Sequence, residues 1–565
     1  MGRRSEAPGV DPDSLLRRLG LLLFLPALLV LGACGSLLPG PVAPAVLGGE
    51  APPPGRPTGG PAEAWPVTIG CEAAVPGVLR ARLEAIARRD PARFAWTEDP
   101  ALADLRLTIG GPPSAVPVGI WTYAVAAPFW TVEDEVASAD LVAAWRGAHL
   151  GSLAAHPLLA AADTLQALTT LWGPPAPTVR AVDPAALLAE AKGTGGWAIV
   201  PFDELQTGWK VLRVGGISLL EKGLQGNLTV SYPVQLPLAL ASERRADALP
   251  LLAQALGDLS NRQEGRMTVV AMTGTTALTR STAQAMETRG LAHPARDIQE
   301  WLVSADFTHV SNEVSFTPDC RVPPNEDTMT FCAHERYIAL LEAVGTDIVE
   351  LTGNHLLDYG PEPLRHSLEM FRQRGWRWYG GGENLAEATR PLTIVQGPNR
   401  LAFLGANPVG PAYDWATAES PGSAPCDYER LKAQIRELRA AGYLPIVTLQ
   451  YQESYQYFPT PEQIIDFRAL AEAGAAVVQG SQAHQPQAME LYGDAFIHYG
   501  LGNLFFDQMQ WLGTRQEFVD RLVFYDGRLL SIDLRTALLE EYARPRPMTG
   551  NERRAFLQLI FDLRP

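Results

Sequence analysis

The chain has 565 residues, 47% of them hydrophobic and 19% charged, with a formal net charge of −16. That length suits two or three domains with sizeable cores, and the hydrophobic share is that of a globular rather than a disordered chain. The acidic balance argues against sequence-independent binding to nucleic-acid phosphates and against electrostatic attraction to an anionic membrane.

In chain order, Arg3, Arg4, Arg17 and Arg18 precede an apolar run from Leu19 to Leu31. The run is short for a membrane span and has the flanks of a signal peptide, which is predicted over residues 1–34. Leu31-Gly-Ala-Cys34 resembles the bacterial lipobox. The resemblance implies that Cys34 carries lipid and that the body is extracytoplasmic, held to the cell membrane by that anchor. Residues 35–64 are rich in Pro, Gly and Ala, the composition of an extended tether. Of the remaining cysteines, Cys320 and Cys332 share one Pro-rich loop and are the predicted disulfide. No CxxC pair points to a zinc site.

From Trp65 the pattern alternates. Strands are predicted at Val67–Gly70, Ala103–Ile109, Trp121–Phe129 and Trp197–Phe202, with helices over Val78–Arg89, Ser138–Trp145 and Thr164–Leu171. Such alternation reads as an α/β domain over residues 65–245. The order and texture of Tyr123–Phe129, Ala139–Gly147, Gly195–Phe202 and Lys210–Ser218 resemble a periplasmic solute-binding protein fold. Residues 246–266 read as a linker with a connecting helix. A second domain begins at Met267 and is taken to run to residue 540, followed by a helical tail over 541–565. Gly380–Gly382 reads as a turn, with no P-loop Lys after it.

Within the second domain, short apolar runs end in loops that carry His beside Asn, Gln or Asp, where a site sits in an α/β fold. Five blocks stand out: Thr273–Arg280, Ala305–Glu313, Gly353–Gly360, Val447–Glu453, and Gly480–His484 with Tyr499–Gln508. Together they resemble the bacterial capsule-synthesis CapA family, in the family's order over residues 268–540. The resemblance implies a metallophosphatase-like α/β/β/α sandwich and a role in synthesis, export or retention of an envelope polymer, poly-γ-glutamate or a polysaccharide, alongside polymer-synthesis machinery. It implies His355 as proton donor, Asp358 as its orienting carboxylate and Asn354 beside them. It further implies Glu313, Asn354 and His484, with Asp306 as a weaker candidate, as ligands for one divalent metal (Mn, Fe or Zn), and Gln450, Glu453, Gln482 and Asn503 as substrate-binding groups. Thr275, Gln450 and Gln482 stand where the family carries Asp, His and His, so an active metal-dependent phosphoesterase is only an alternative reading, and a solute-binding lipoprotein is another. A cleft lined by Gln450, Gln452, Gln482, Gln485 and Gln487, which both donate and accept hydrogen bonds, suits a polymer instead.

Overall fold

In a computed structural model the described residues are 65–148, 150–224, 231–242, 244–321 and 329–565. The predicted signal peptide, Cys34 and the expected tether lie outside them. The first region is built on a nine-stranded mixed sheet. Its long strand Val116–Pro128 pairs antiparallel with Gln235–Ser242 on one side and with Trp197–Pro201 on the other. Helices Gly77–Arg89, Ala162–Trp172 and Leu249–Leu256 cover it with Leu79, Leu83, Ile86, Leu168 and Leu252. That spacing of three and four residues is one face of a helix.

The second region stacks two sheets. One has eight strands around Met267–Thr273, which pairs parallel with Phe307–Asn312 and antiparallel with Gln516–Tyr525. Every residue of Met267–Thr273 is buried, because both faces of this central strand are covered. The other sheet has six strands around Leu444–Ser454 and Val477–Ala483, paired parallel. Val270, Met272 and Ile348 of the first sheet meet Phe403, Ile446, Val477 and Phe496 of the second in one core. On the outer faces, helix Pro361–Gln373 packs Leu364, Leu368 and Phe371 against the eight-stranded sheet. Helices Tyr428–Ala440 and Pro461–Glu472 pack Leu431, Ile435, Phe467 and Leu470 against the six-stranded one. The layers therefore run helix, sheet, sheet, helix, as the resemblance implied.

The described residues, from Trp65 to Pro565, pack as one unit. The core under the first sheet takes in Met267, Val269, Val523, Tyr525 and Leu530 from the second region. Strand Arg544–Pro547 adds an edge to the eight-stranded sheet, and helix Gly550–Asp562 closes the chain behind a Thr549–Glu552 capping box. Gly380–Gly382, expected as a simple turn, contains the strand Gly381–Gly382, paired with Gly422–Ser423. Its glycines serve close packing: a Cβ on Gly381 would lie 2.6 Å from the Leu351 carbonyl oxygen.

Candidate functional site

The five blocks fall at the carboxyl ends of strands and meet. Glu313 follows Phe307–Asn312, Asn354 and His355 follow Thr346–Glu350, Gln450 lies in Leu444–Ser454, and Gln482 lies in Val477–Ala483. The loops approach so closely that a Cβ on Gly353 would sit 2.8 Å from the Glu313 Cα, and a bridge joins Val314 to His355. At Gly360, φ of +81° turns the chain into helix Pro361–Gln373, with Pro at its first position.

His355 Nδ1 lies 2.7 Å from Asp358 Oδ2, which also accepts from the Phe331 backbone N–H at 2.7 Å. Burial alone would lower the His355 pKa, but the Asp358 hydrogen bond and the charges of Glu313, Asp358 and Asp414 raise it above the ordinary imidazole value. With Nδ1–H held by the carboxylate, a charged His355 presents Nε2–H as a donor.

His484 is held differently. Its Nδ1 lies 2.8 Å from Asn503 Oδ1, while Asn503 Nδ2 faces the acceptors His484 O, Gln508 Oε1 and Thr514 O. Those three acceptors fix the amide's orientation, so its oxygen takes a proton from Nδ1 and leaves Nε2 as the ring nitrogen not engaged by Asn503. Asn503, expected to bind substrate, is fully buried and is spent on positioning His484.

Phe331 and Phe506 form the floor between the two imidazoles. Phe331 lies 4.3 Å from His355 between ring centroids, and Phe506 lies 5.4 Å from His484. The Arg280 guanidinium sits 5.0 Å and 4.9 Å from the two phenyl centroids and is paired with Asp507 at 2.5 Å. Tyr455 and Trp511, ring centroids 5.2 Å apart and both partly exposed, make a rim above His484. Glu453 is exposed and accepts from the Tyr455 hydroxyl at 2.5 Å. Gln485 accepts from Trp511 Nε1, Gln487 is tied to Gln463 and Ser454, and Gln452 is exposed.

Gln450 lies among the oxygens expected to bind a metal. Its Nε2 lies 3.1 Å from Glu313 Oε1, 2.9 Å from Asn354 Oδ1 and 2.6 Å from Gln482 Oε1, while Ser481 donates to its Oε1 at 2.5 Å. Three oxygens thus converge on an amide nitrogen, which supplies N–H groups where a cation would otherwise sit. A divalent ion would have to displace that nitrogen. Thr275 Oγ1 lies 3.4 Å from the Gln482 backbone N–H and offers a neutral hydroxyl. Among the described residues no group of three or more His, Cys, Asp or Glu is arranged to hold a metal ion. Of the donors expected for one, Glu313 Oε1 and Asn354 Oδ1 are met by the Gln450 amide, His484 Nδ1 is held by Asn503, and Glu313 Oε2 is buried without a hydrogen-bond partner. Asp306 lies elsewhere, bonded to Lys222, Gln396 and the Val269 N–H.

Several contributors escaped the sequence reading. Buried Glu350 is pushed up to about 7 by desolvation, with Glu313 adding like charge, and accepts from the Thr352 hydroxyl. Asp414 is likewise pushed up to about 7, chiefly by burial and then by Asp358. Backbone strain gathers here too: Arg280, Gln482 and Phe505 have φ of 46°, 72° and 59°, values costly to non-glycine residues and frequent at functional sites.

Residues 269–508, which contain every block, match the family model of the bacterial capsule synthesis protein PGA_cap. This region is similar to that capsule-synthesis family. The capsule biosynthesis protein CapA of Bacillus anthracis is 24% identical over 55% of this chain and 76% of its own length. The PGA biosynthesis protein CapA of Bacillus subtilis is 28% identical over 32% of this chain and 47% of its own. A probable polyglutamine synthesis accessory protein of Mycobacterium tuberculosis is 26% identical over 39% and 60%. Among solved structures, a 5′-nucleotidase precursor from Thermus thermophilus aligns at TM-score 0.30 and 13% identity, over 52% of this chain and 58% of its own. A phosphate transport receptor from Vibrio cholerae aligns at TM-score 0.28 and 12% identity, over 34% and 92%. Likenesses of that strength fix neither fold nor activity.

Proposed function

We propose that this protein acts outside the cytoplasm, anchored by lipid on Cys34, in making, exporting or retaining an anionic envelope polymer, with poly-γ-glutamate as the leading polymer. The names of its capsule-synthesis relatives support the polymer class. One observation in the site carries the reading. Two imidazoles share one aromatic floor, with His355 tied to a carboxylate and His484 to an amide oxygen. The first offers a proton and the second a lone pair, the pairing needed to grip or transfer a group with both a carbonyl oxygen and an N–H. A polyamide bearing free carboxylates has both. His355 would bond a carboxylate or carbonyl oxygen, His484 Nε2 would accept the amide N–H, and Tyr455 and Trp511 would cover the methylene stretch. Gln450, seated among the oxygens of Glu313, Asn354 and Gln482, holds the strand ends in register without a cation.

The test is a strain whose only copy carries His355→Ala or His355→Gln, with surface polymer measured as glutamate after acid hydrolysis. At unchanged protein abundance, at least a tenfold loss is expected. Wild-type polymer in both variants would show that this cleft is not the working site.

A further inference from the structure

A second cavity, of about 190 Å³, lies away from the histidine cleft. It is bounded by strand Trp209–Val211 of the first sheet, strand Arg528–Glu540 of the eight-stranded sheet and the final helix Gly550–Asp562. Its charged lining is Lys210, Arg213, Arg535 and Arg553 against Asp134 and Asp533, four positive and two negative, an excess of two. Glu221, just outside the lining, pairs with both Arg213 and Arg535 and still leaves an excess of one. That sign is opposite to the chain's formal charge of −16.

The cations are held in place yet keep donors to spare. Lys210 Nζ contacts Asp134 at 2.7 Å and the Thr131 carbonyl at 2.8 Å, which uses two of its three N–H groups. Arg535 gives Nε and Nη2 to Asp533 and Glu221, and its Nη1 has no protein acceptor among the described residues. Arg553 is fixed to Asp134 at 2.6 and 2.9 Å. The opposite wall is apolar, from Phe129, Met548, Leu557 and Phe561. A concave site at a junction of two regions, with an apolar wall and a few convergent polar groups, is the usual form of a small-ligand pocket.

The geometry points to a binding site for a small organic anion, a carboxylate or phosphate head on a short apolar body, lodged between Arg213, Lys210 and Arg535 and the Phe129–Phe561 wall. Nothing in this inference depends on the histidine cleft. The head can be either acid, so the probes separate them: hexanoate and hexyl phosphate, with hexylammonium and hexanol as controls, titrated calorimetrically into the full chain. One of the anions is expected to bind saturably, at least tenfold more tightly than either control. Arg213, partly exposed and paired among the described residues with Glu221 at 3.5 Å, can be changed without opening the core. Arg213→Gln should weaken the anion about tenfold, and Arg213→Lys should retain most of the affinity. Equal binding of hexylammonium or hexanol, no binding of either anion, or an Arg213→Gln variant with wild-type affinity would each overturn the assignment.

Discussion

At the scale of single residues, the site stores protons where its sequence neighbours give no hint of them. Glu350 ends an apolar strand, and burial lifts its carboxyl from 4.5 to about 7. The folded protein then binds a proton across that interval which the unfolded chain has released, so this group's contribution favours folding most at low pH. It declines as pH rises toward 7 and is level above. Asp414, lifted from 3.8 to about 7, acts in the same direction. So does His355: its contribution is full below 6.5 and is lost as pH passes its raised folded value. The protein should therefore be less stable at pH 8 than at pH 5. Glu350→Gln, which keeps the shape and removes the charge, should flatten that slope and gain on the order of 3 kcal/mol over wild type at pH 8. Urea unfolding midpoints at the two pH values would show it. A variant with the wild-type slope and no gain at pH 8 would contradict this account of Glu350.

At the scale of elements, the disulfide between Cys320 and Cys332 reaches the site through one residue. Phe331 precedes Cys332, gives its N–H to Asp358, packs its ring at a tilt against His355 and lies under Arg280. Closing a loop of this length constrains the unfolded chain by roughly 3 kcal/mol in the chain-entropy model. Reduction should accordingly lower the melting temperature and also loosen His355. Its C2-proton resonance should titrate at a lower pH once Asp358 is less firmly held. A reduced protein that melts lower but keeps the His355 titration would separate the loop from the site. Much of this arrangement was legible in the sequence, because apolar runs followed by His, Asn and Gly mark strand ends wherever they occur. His355 with Asp358 lies three residues apart and could be paired by spacing alone. Arg280, Phe331, Asp414 and Asp507 could not, since each reaches the site across long stretches of chain. Asn503 was placed in the cleft because nothing local reveals that His484, nineteen positions earlier, consumes its amide oxygen.

At the scale of the whole molecule, the two regions share walls. Val523, Tyr525 and Leu530 belong to the second region's antiparallel strands yet lie in the core of the first sheet. The Tyr525 hydroxyl donates to the Asn261 carbonyl at 2.7 Å and accepts from the Gln263 N–H at 3.2 Å, while Arg528 reaches the carbonyls of Asp203 and Leu205. A fragment ending at residue 266 should therefore keep helical signal but lose a cooperative thermal transition, whereas residues 65–565 should melt as one. Two independent transitions in the longer chain would contradict this. The same shared core sets a timetable for a chain made from its N-terminus. At roughly 5–20 residues per second, the first sheet waits on the order of tens of seconds for the strands that complete it. Until then it is an unfinished partner with an open seam. Strands Gln516–Tyr525 and Arg528–Glu540, made late in synthesis, act as the latch.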